Sequence, residues 1–345
     1  ALFSLVCFVS VDYNNTDDYA YALYIASFAT WLGGAYGVCC ILRLYYRQIS
    51  LKLIINYLIF VCVFQCAIAL VIDLVEPIRL WVDTYISNAT VAGNDALKEI
   101  NRLYGIGVAL DPAGVRFSIV LVGLSALVAR DQEIRKNKKY IFFYVVAFFI
   151  ISVVGNMIAR TTIVGMVMGG MYMLYSIHFF RGEIKKEVIN VWSMVLVATG
   201  IIVIVAIWFY NNDAYMYRLF RFGFEGFFNW IETGVWTTAS TTKLNTTMWI
   251  WPEDTKTWII GSGNFQGTDI GYCRFILYSG LCGLIVFSLF FVYNAIACMH
   301  KFPHYRLFFF MLLLLSFIIW IKVATDLFLI YALFYCIDNP QTERI

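Results

Sequence analysis

The residues of this chain with the greatest chemical reach lie close together in the sequence. Arg218 and Arg221 are followed by Glu225 and Glu232. Offsets of three, seven and fourteen from Arg218 put all four on one face if the stretch is a single helix. Gly223 and Gly226 count against an unbroken helix. Two guanidiniums on one face can grip a diphosphate through paired bonds. A carboxylate beside them can take the proton of a hydroxyl. The competing reading is an ordinary surface ion pair between Arg221 and Glu225, which are four residues apart.

Further cations stand near the ends of apolar runs. Arg160 sits in Gly155-Asn-Met-Ile-Ala-Arg160-Thr-Thr162, a turn joining two apolar stretches with almost no loop. Arg116 closes Asp111-Pro-Ala-Gly-Val-Arg116, shortly after Asn101-Arg-Leu-Tyr-Gly-Ile-Gly107. Charges at such depth are costly and are functional candidates by default; snorkelling to lipid phosphate is the alternative. Asp269 and Arg274 flank the start of another long apolar run. Asp269 is expected to cap that helix, a role worth about 1 kcal/mol. Of the other acids, Glu225 ranks first as a base and Glu232 second, while Asp254, beside Pro252 and Glu253, looks least constrained.

The elements that must hold these residues are membrane helices. The chain has 345 residues, 61% hydrophobic and 14% charged, against about 25% charged in soluble domains. Apolar runs near 20 residues recur, about the length that crosses a ~30 Å hydrocarbon core. The expected spans are 1–11, 19–42, 53–75, 113–129, 140–158, 162–180, 191–210, 270–299 and 307–336. The chain opens on Ala1 inside an apolar run, so the first span reads as shortened. The stretch 307–336 carries Lys322 and Asp326 and is either one tilted helix or a hairpin, giving nine or ten spans. The fold class is all-α and polytopic, with one integral membrane domain expected over 1–345.

Two stretches, 76–112 and 211–269, stay outside the spans. Four short basic linkers, 43–52, 130–139, 181–186 and 301–306, hold 13 of the 25 Lys and Arg residues. By the positive-inside rule they face the cytoplasm, which puts both loops on the outer side. The larger loop carries Trp230, Trp236, Trp249, Trp251 and Trp258, a composition that argues for a folded segment rather than a disordered one.

Several chemistries leave no trace. The nine cysteines lie almost all in apolar runs without a CxxC pair and read as buried thiols. His178, His300 and His304 fall at cytoplasmic ends. No HExxH, Walker A or GxGxxG pattern appears. Secondary transporters are marked by inverted pairs of broken helices; none is visible, and only Lys322 and Asp326 could line a path through the membrane.

Taken together, the chain resembles the Wzy-type repeat-unit polymerases of bacterial O-antigen and capsule synthesis. The residues that carry the likeness are the Ala-Arg160-Thr turn, the long outer loop, Thr257-Trp-Ile-Ile-Gly-Ser-Gly263, Thr268-Asp-Ile-Gly-Tyr272, and Arg274-Phe-Ile-Leu-Tyr-Ser-Gly-Leu-Cys-Gly283. The related O-antigen ligases share the architecture but usually carry an outer-loop histidine, which this sequence lacks. The resemblance implies a C-type glycosyltransferase of the bacterial inner membrane working at the periplasmic face. It implies transfer of the growing chain from an undecaprenyl-diphosphate carrier to a new lipid-linked repeat unit, with anomeric inversion and with no metal or cofactor. The implied partners are the lipid-linked oligosaccharide, membrane lipids and a chain-length regulator protein, with no nucleic acid. Mapped onto this chain, Arg116, Arg160, Arg218, Arg221 and Arg274 would hold the diphosphate. Glu225, Glu232 and Asp269 would be the candidate bases, and Tyr272, Trp230 and Trp258 would stack on sugars. The alternatives are an O-antigen ligase and a polysaccharide or lipid-linked oligosaccharide transporter.

Overall fold

The computed structural model describes residues 1–86, 102–106, 110–176, 186–265 and 267–338. No strand occurs among them. The helices are α1 (Leu2–Asn14), α2 (Tyr24–Tyr45), α3 (Leu51–Leu74), α4 (Glu76–Tyr85), α5 (Leu110–Arg130), α6 (Gln132–Lys136), α7 (Lys138–Ile158) and α8 (Thr162–Ser176). They continue with α9 (Lys186–Asn212), α10 (Ala214–Gly223), α11 (Glu225–Thr233), α12 (Ala239–Lys243), α13 (Thr255–Ile260), α14 (Gly271–Lys301), α15 (Arg306–Ile319) and α16 (Phe328–Cys336). Among the described residues, six helices are long and apolar enough to cross a membrane: α2, α3, α5, α7, α9 and α14. Three shorter apolar helices accompany them, 2–14, 162–176 and 303–319. The chain is thus an all-α, multi-pass membrane protein. The basic linker 181–186 lies outside the described residues except for Lys186, as does most of the loop 87–109.

The chain divides into two compact units, one of residues 1–54 and 239–345, the other of residues 55–238. In the second, α5 is the central helix, and nearly every residue from Ala113 to Ala129 is buried. Its partner α8 approaches through glycines. A Cβ on Gly165 would lie 2.1 Å from Ser118 Cα, and one on Gly169 would lie 2.7 Å from Ser125 Oγ. Small residues four apart let two membrane helices pack backbone to backbone. Ser118 Oγ then donates to Thr161 O at 3.1 Å and accepts from Gly165 N at 3.1 Å.

The first unit holds its irregular backbone inside a helix. α14 breaks at Gly280, whose φ of 65° and ψ of −172° are open to glycine. A Cβ there would stand 2.1 Å from Ile259 O. Freed carbonyls must be paired again when they leave the helix. Ser262 N reaches Leu277 O at 2.7 Å, Gly263 N reaches Tyr278 O at 3.1 Å, and Ser10 Oγ reaches Tyr278 O at 2.7 Å. The Gly261-Ser-Gly263 motif therefore serves this break. Span 270–299, expected as one uninterrupted helix, is two helical pieces.

The stretch 307–336 resolves as a hairpin. Tyr272 N, at the start of α14, donates to Trp320 O at 3.2 Å, so α15 runs back along α14. Lys301 Nζ, at the other end of α14, donates to Phe334 O, Tyr335 O and Ile337 O at 3.2, 2.9 and 2.6 Å. The last helix therefore returns to the level at which α15 began. Trp320, fully buried among Phe275, Phe287 and Phe291, anchors the turn.

Candidate anion-binding site

The site is built at one end of the second unit, where α3 stops, α5 starts, and α7 turns into α8. Ala159 takes an extended conformation, φ −153° and ψ 113°, which ends α7 and turns the chain toward α8. Gly114 of α5 lets this turn settle closely, since a Cβ there would meet Thr161 Cβ at 2.9 Å. Thr161 Oγ1 donates to Asp111 Oδ1. The result fixes the backbone position of Arg160 at the turn between α7 and α8.

Arg160 Nη1 bonds Glu225 Oε2, and their side chains are 16% and 25% exposed. Its guanidinium carbon lies 4.8 Å from the centre of the Phe222 ring. Arg102 approaches the same ring at 5.2 Å. The strand of chain that carries Arg102 is pinned on both sides. Leu103 N donates to Met157 O at 3.2 Å, and Gln65 Nε2 donates to Ile106 O at 2.7 Å. Two guanidiniums therefore converge on one aromatic ring. Burial lowers the pKa of Arg102 from its usual value; Asp111 opposes that shift and Arg160 adds to it. Burial likewise lowers Arg160, again opposed by Asp111. Both Nε atoms are buried and make no hydrogen bond among the described residues. Arginine keeps its charge, and a buried charge is expensive unless it meets an anion.

Beside them is a cavity of about 330 Å³ lined by Asp73, Arg79, Leu80, Arg102, Tyr215, Arg218 and Leu219. Among the described residues, three guanidiniums and one carboxylate thus line this space. Arg79 also lies 3.7 Å from the exposed Glu76. Arg218 makes no hydrogen bond or ion pair among the described residues. The volume falls at the lower end of the ~300–1,000 Å³ range of small-molecule sites.

The single helical face expected for Arg218, Arg221, Glu225 and Glu232 does not form. Asp213 caps α10 by accepting from Tyr215 N and Met216 N, both at 2.9 Å. The helix then ends at Gly223, and Phe224 (φ −118°, ψ 28°) separates it from α11. Gly223 packs on Met157 and Gly226 on Trp236, so the glycines serve close approach rather than helix continuity. The pairings change accordingly. Arg221 is held by Glu232 in a two-bond fork, with Nη2 to Oε2 at 3.1 Å, and not by Glu225. That bond to Glu232 raises Arg221 above its usual pKa. Arg221 also lies over Phe228 at 5.1 Å. The distance expected between Glu232 and Arg221 along one helix is closed by the break.

Other expectations fall elsewhere. Arg116 is exposed on the face of α5 opposite Gly114, within electrostatic reach of Cys62. Helix positions i and i+2, such as Gly114 and Arg116, are ~200° apart, so Arg116 points away from the turn that carries Arg160. Trp230 is 53% exposed on α11. Asp269, Arg274, Tyr272 and Trp258 belong to the first unit. Asp269 is not the cap of α14: the cap position is Ile270, without a side-chain bond. Asp269 instead lies 3.8 Å from Arg274 and is 63% exposed. Arg274 donates to Thr268 O at 3.0 Å and rests on Phe265 at 4.2 Å. Tyr272 donates to Phe317 O at 3.0 Å. Trp258 stacks on Trp251 at 5.7 Å and 9°, and Trp249 extends the stack at 5.6 Å from Trp251. Asp254, far from unconstrained, caps α13 by accepting from Thr257 N at 2.8 Å and Thr257 Oγ1 at 2.7 Å.

Arg102, Asp73, Arg79, Tyr215 and Phe222 escaped the sequence reading. A signal existed for two of them. Arg102 lies inside the loop motif already singled out, and Asp73 is a carboxylate within the last turn of an apolar helix. Comparison of the chain with protein-family models, curated proteins and solved structures finds no match.

Proposed function

We propose that the chain is a membrane glycosyltransferase that polymerises undecaprenyl-diphosphate-linked oligosaccharide units into O-antigen or capsular polysaccharide. The transfer inverts the anomeric carbon and takes place at the periplasmic face of the bacterial inner membrane. The observation that carries this reading is the convergence of Arg102 and Arg160 on Phe222 beside a cavity that adds Arg79 and Arg218. Cations held half-buried at the end of a helical membrane unit suit a phosphate ester whose lipid tail stays in the bilayer. In such a transfer the leaving group departs as a diphosphate anion. Fixed guanidiniums in a partly dry site stabilise that charge as it develops, and positioning of the two substrates supplies much of the remaining rate. Arg160, oriented by Glu225 and by the ring of Phe222, and Arg102 beside it are the groups best placed for this role. Arg221, bound to Glu232, supports the fold of α10 and α11 around them.

The test is synthesis of polymer by the purified protein in vesicles supplied with one lipid-linked repeat unit. Ladders of increasing length are expected from the wild type and not from Arg102→Ala or Arg160→Ala. Transfer of the unit to lipid A core instead would favour the ligase alternative. A transporter reading draws on a different feature, the non-helical stretch before α16. There Asp326 accepts from Tyr24 OH at 3.3 Å and from Phe328 N at 2.9 Å. Movement of the lipid-linked unit across protein-containing vesicles, without polymer, would favour it.

A further inference from the structure

The cavity beside Arg102 contains more than cations. Three buried polar atoms of its lining have no hydrogen-bond partner among the described residues: Asp73 Oδ2, Tyr215 OH and Arg102 Nε. Buried polar groups are nearly always bonded, and leaving one unbonded is costly. Here a carboxylate oxygen, a phenol and a guanidinium nitrogen, from three separate segments of chain, border the same space. An acceptor, an amphoteric hydroxyl and a donor together match a ligand that offers both hydroxyl groups and negative charge. A sugar bearing a phosphate ester has that composition.

The carboxylates ranked first on sequence are differently occupied. Glu225 is bonded to Arg160 and Glu232 to Arg221. A guanidinium bonded directly to a carboxylate favours its charged form more than one across a cavity does, so these two are the weaker bases. Asp73 has an electrostatic neighbour, Arg79, on the following helix, but among the described residues its carboxylate is in no hydrogen bond or ion pair. Among the described residues, the charged and titratable groups lining the cavity around it are Arg79 of α4, Arg102, and Tyr215 and Arg218 of α10, with Tyr104, bonded to Asp83, also within electrostatic reach.

We propose that Asp73 is the base that takes the proton of the acceptor sugar hydroxyl, in a cavity whose arginines receive the diphosphate of the donor. This inference rests on the polymerase reading above. The acceptor oxygen forms a bond to the anomeric carbon of the donor sugar while the bond from that carbon to the diphosphate oxygen breaks. The electron pair of the broken bond leaves on the diphosphate, facing Arg79, Arg102 and Arg218. The hydroxyl proton passes to the Asp73 carboxylate and from there to water, so the enzyme returns to its starting state. Tyr215 holds a hydroxyl of the acceptor.

The experiment compares wild type, Asp73→Asn, Asp73→Glu and Tyr215→Phe in vesicles, measuring polymer formation, binding of the lipid-linked unit, and rate against pH. Asp73→Asn is expected to lose at least about a hundredfold in turnover, with binding kept or tightened because a negative charge has left an arginine-lined space. Its residual rate loses the acid limb of the wild-type pH profile, which a merely structural aspartate would leave in place. Asp73→Glu recovers part of the rate. Tyr215→Phe raises KM about tenfold with little change in kcat, and it probes the cavity even if Asp73→Asn folds poorly. Wild-type turnover and an unchanged pH profile in Asp73→Asn would overturn the assignment of the base and leave the polymerase reading standing. Wild-type KM in Tyr215→Phe would remove the cavity as the acceptor subsite. Failure of the wild-type protein itself to extend the lipid-linked unit would overturn both readings together.

Discussion

Replacing Arg160 by methionine separates the structural and chemical duties of one side chain. The change leaves Glu225 in place, only 25% exposed and without its guanidinium. Removing one member of a fully buried pair costs 3–5 kcal/mol. Partial exposure of both groups allows water to solvate the survivor, so about 1–3 kcal/mol is expected here. Loss of the Arg160–Phe222 contact adds about 0.5–1 kcal/mol. Adding Glu225→Leu removes the carboxylate that Arg160 held, and the double variant is expected to recover part of that stability. Its activity is expected to stay about 10²–10³-fold down, the usual cost of deleting one donor to a developing anion. Denaturant unfolding in detergent reads the first quantity and polymer yield per minute in vesicles reads the second. A double variant as active as the wild type would refute the reasoning, because Arg160 would then serve only to satisfy Glu225. Arg160→Lys keeps the charge and loses the planar fork, and it is expected to fall between wild type and Arg160→Met.

Three further outcomes are expected. Gly280→Ala places a Cβ 2.1 Å from Ile259 O at a backbone φ of 65°; folded yield in detergent is expected to collapse, and a normal yield would mean that α14 does not need its break. In a cysteine-free background, cysteines introduced at Ile250 and at Asp95, the latter outside the described residues, are expected to react with an impermeant reagent from the periplasmic side. Reaction only after the inner membrane is opened would reverse the orientation. Asp254 is held below its usual value of 3.8 by the hydroxyl and N–H of Thr257. A depressed folded value contributes stability above the unfolded pKa and loses it as pH falls through the folded one. Hydrogen exchange should therefore show α13 loosening as pH drops below about 4, and Asp254→Asn should loosen it less steeply with acid.

How much of this protein could be read from its sequence depends on the range of the interaction concerned. The apolar runs located the long helices to within a few residues, as with 140–158 against Lys138–Ile158, because the demand for ~20 apolar residues per crossing is local and does not depend on neighbours. The turn around Arg160 and the chemical character of the arginines were legible for the same reason. Pairings were not. Arg221 lies four residues from Glu225 yet bonds Glu232, because one non-helical residue, Phe224, redirects the chain. Asp269 stands next to a helix start without capping it, since a cap requires a side-chain direction that composition does not encode. The break at Gly280 needed a partner segment, Gly261–Gly263, to take up the freed carbonyls. The cavity joins Asp73, Arg102 and Tyr215 from segments far apart in sequence. Helix length is set by the bilayer and is written along the chain, whereas a site is set by which helix ends meet, and only packing between distant segments decides that.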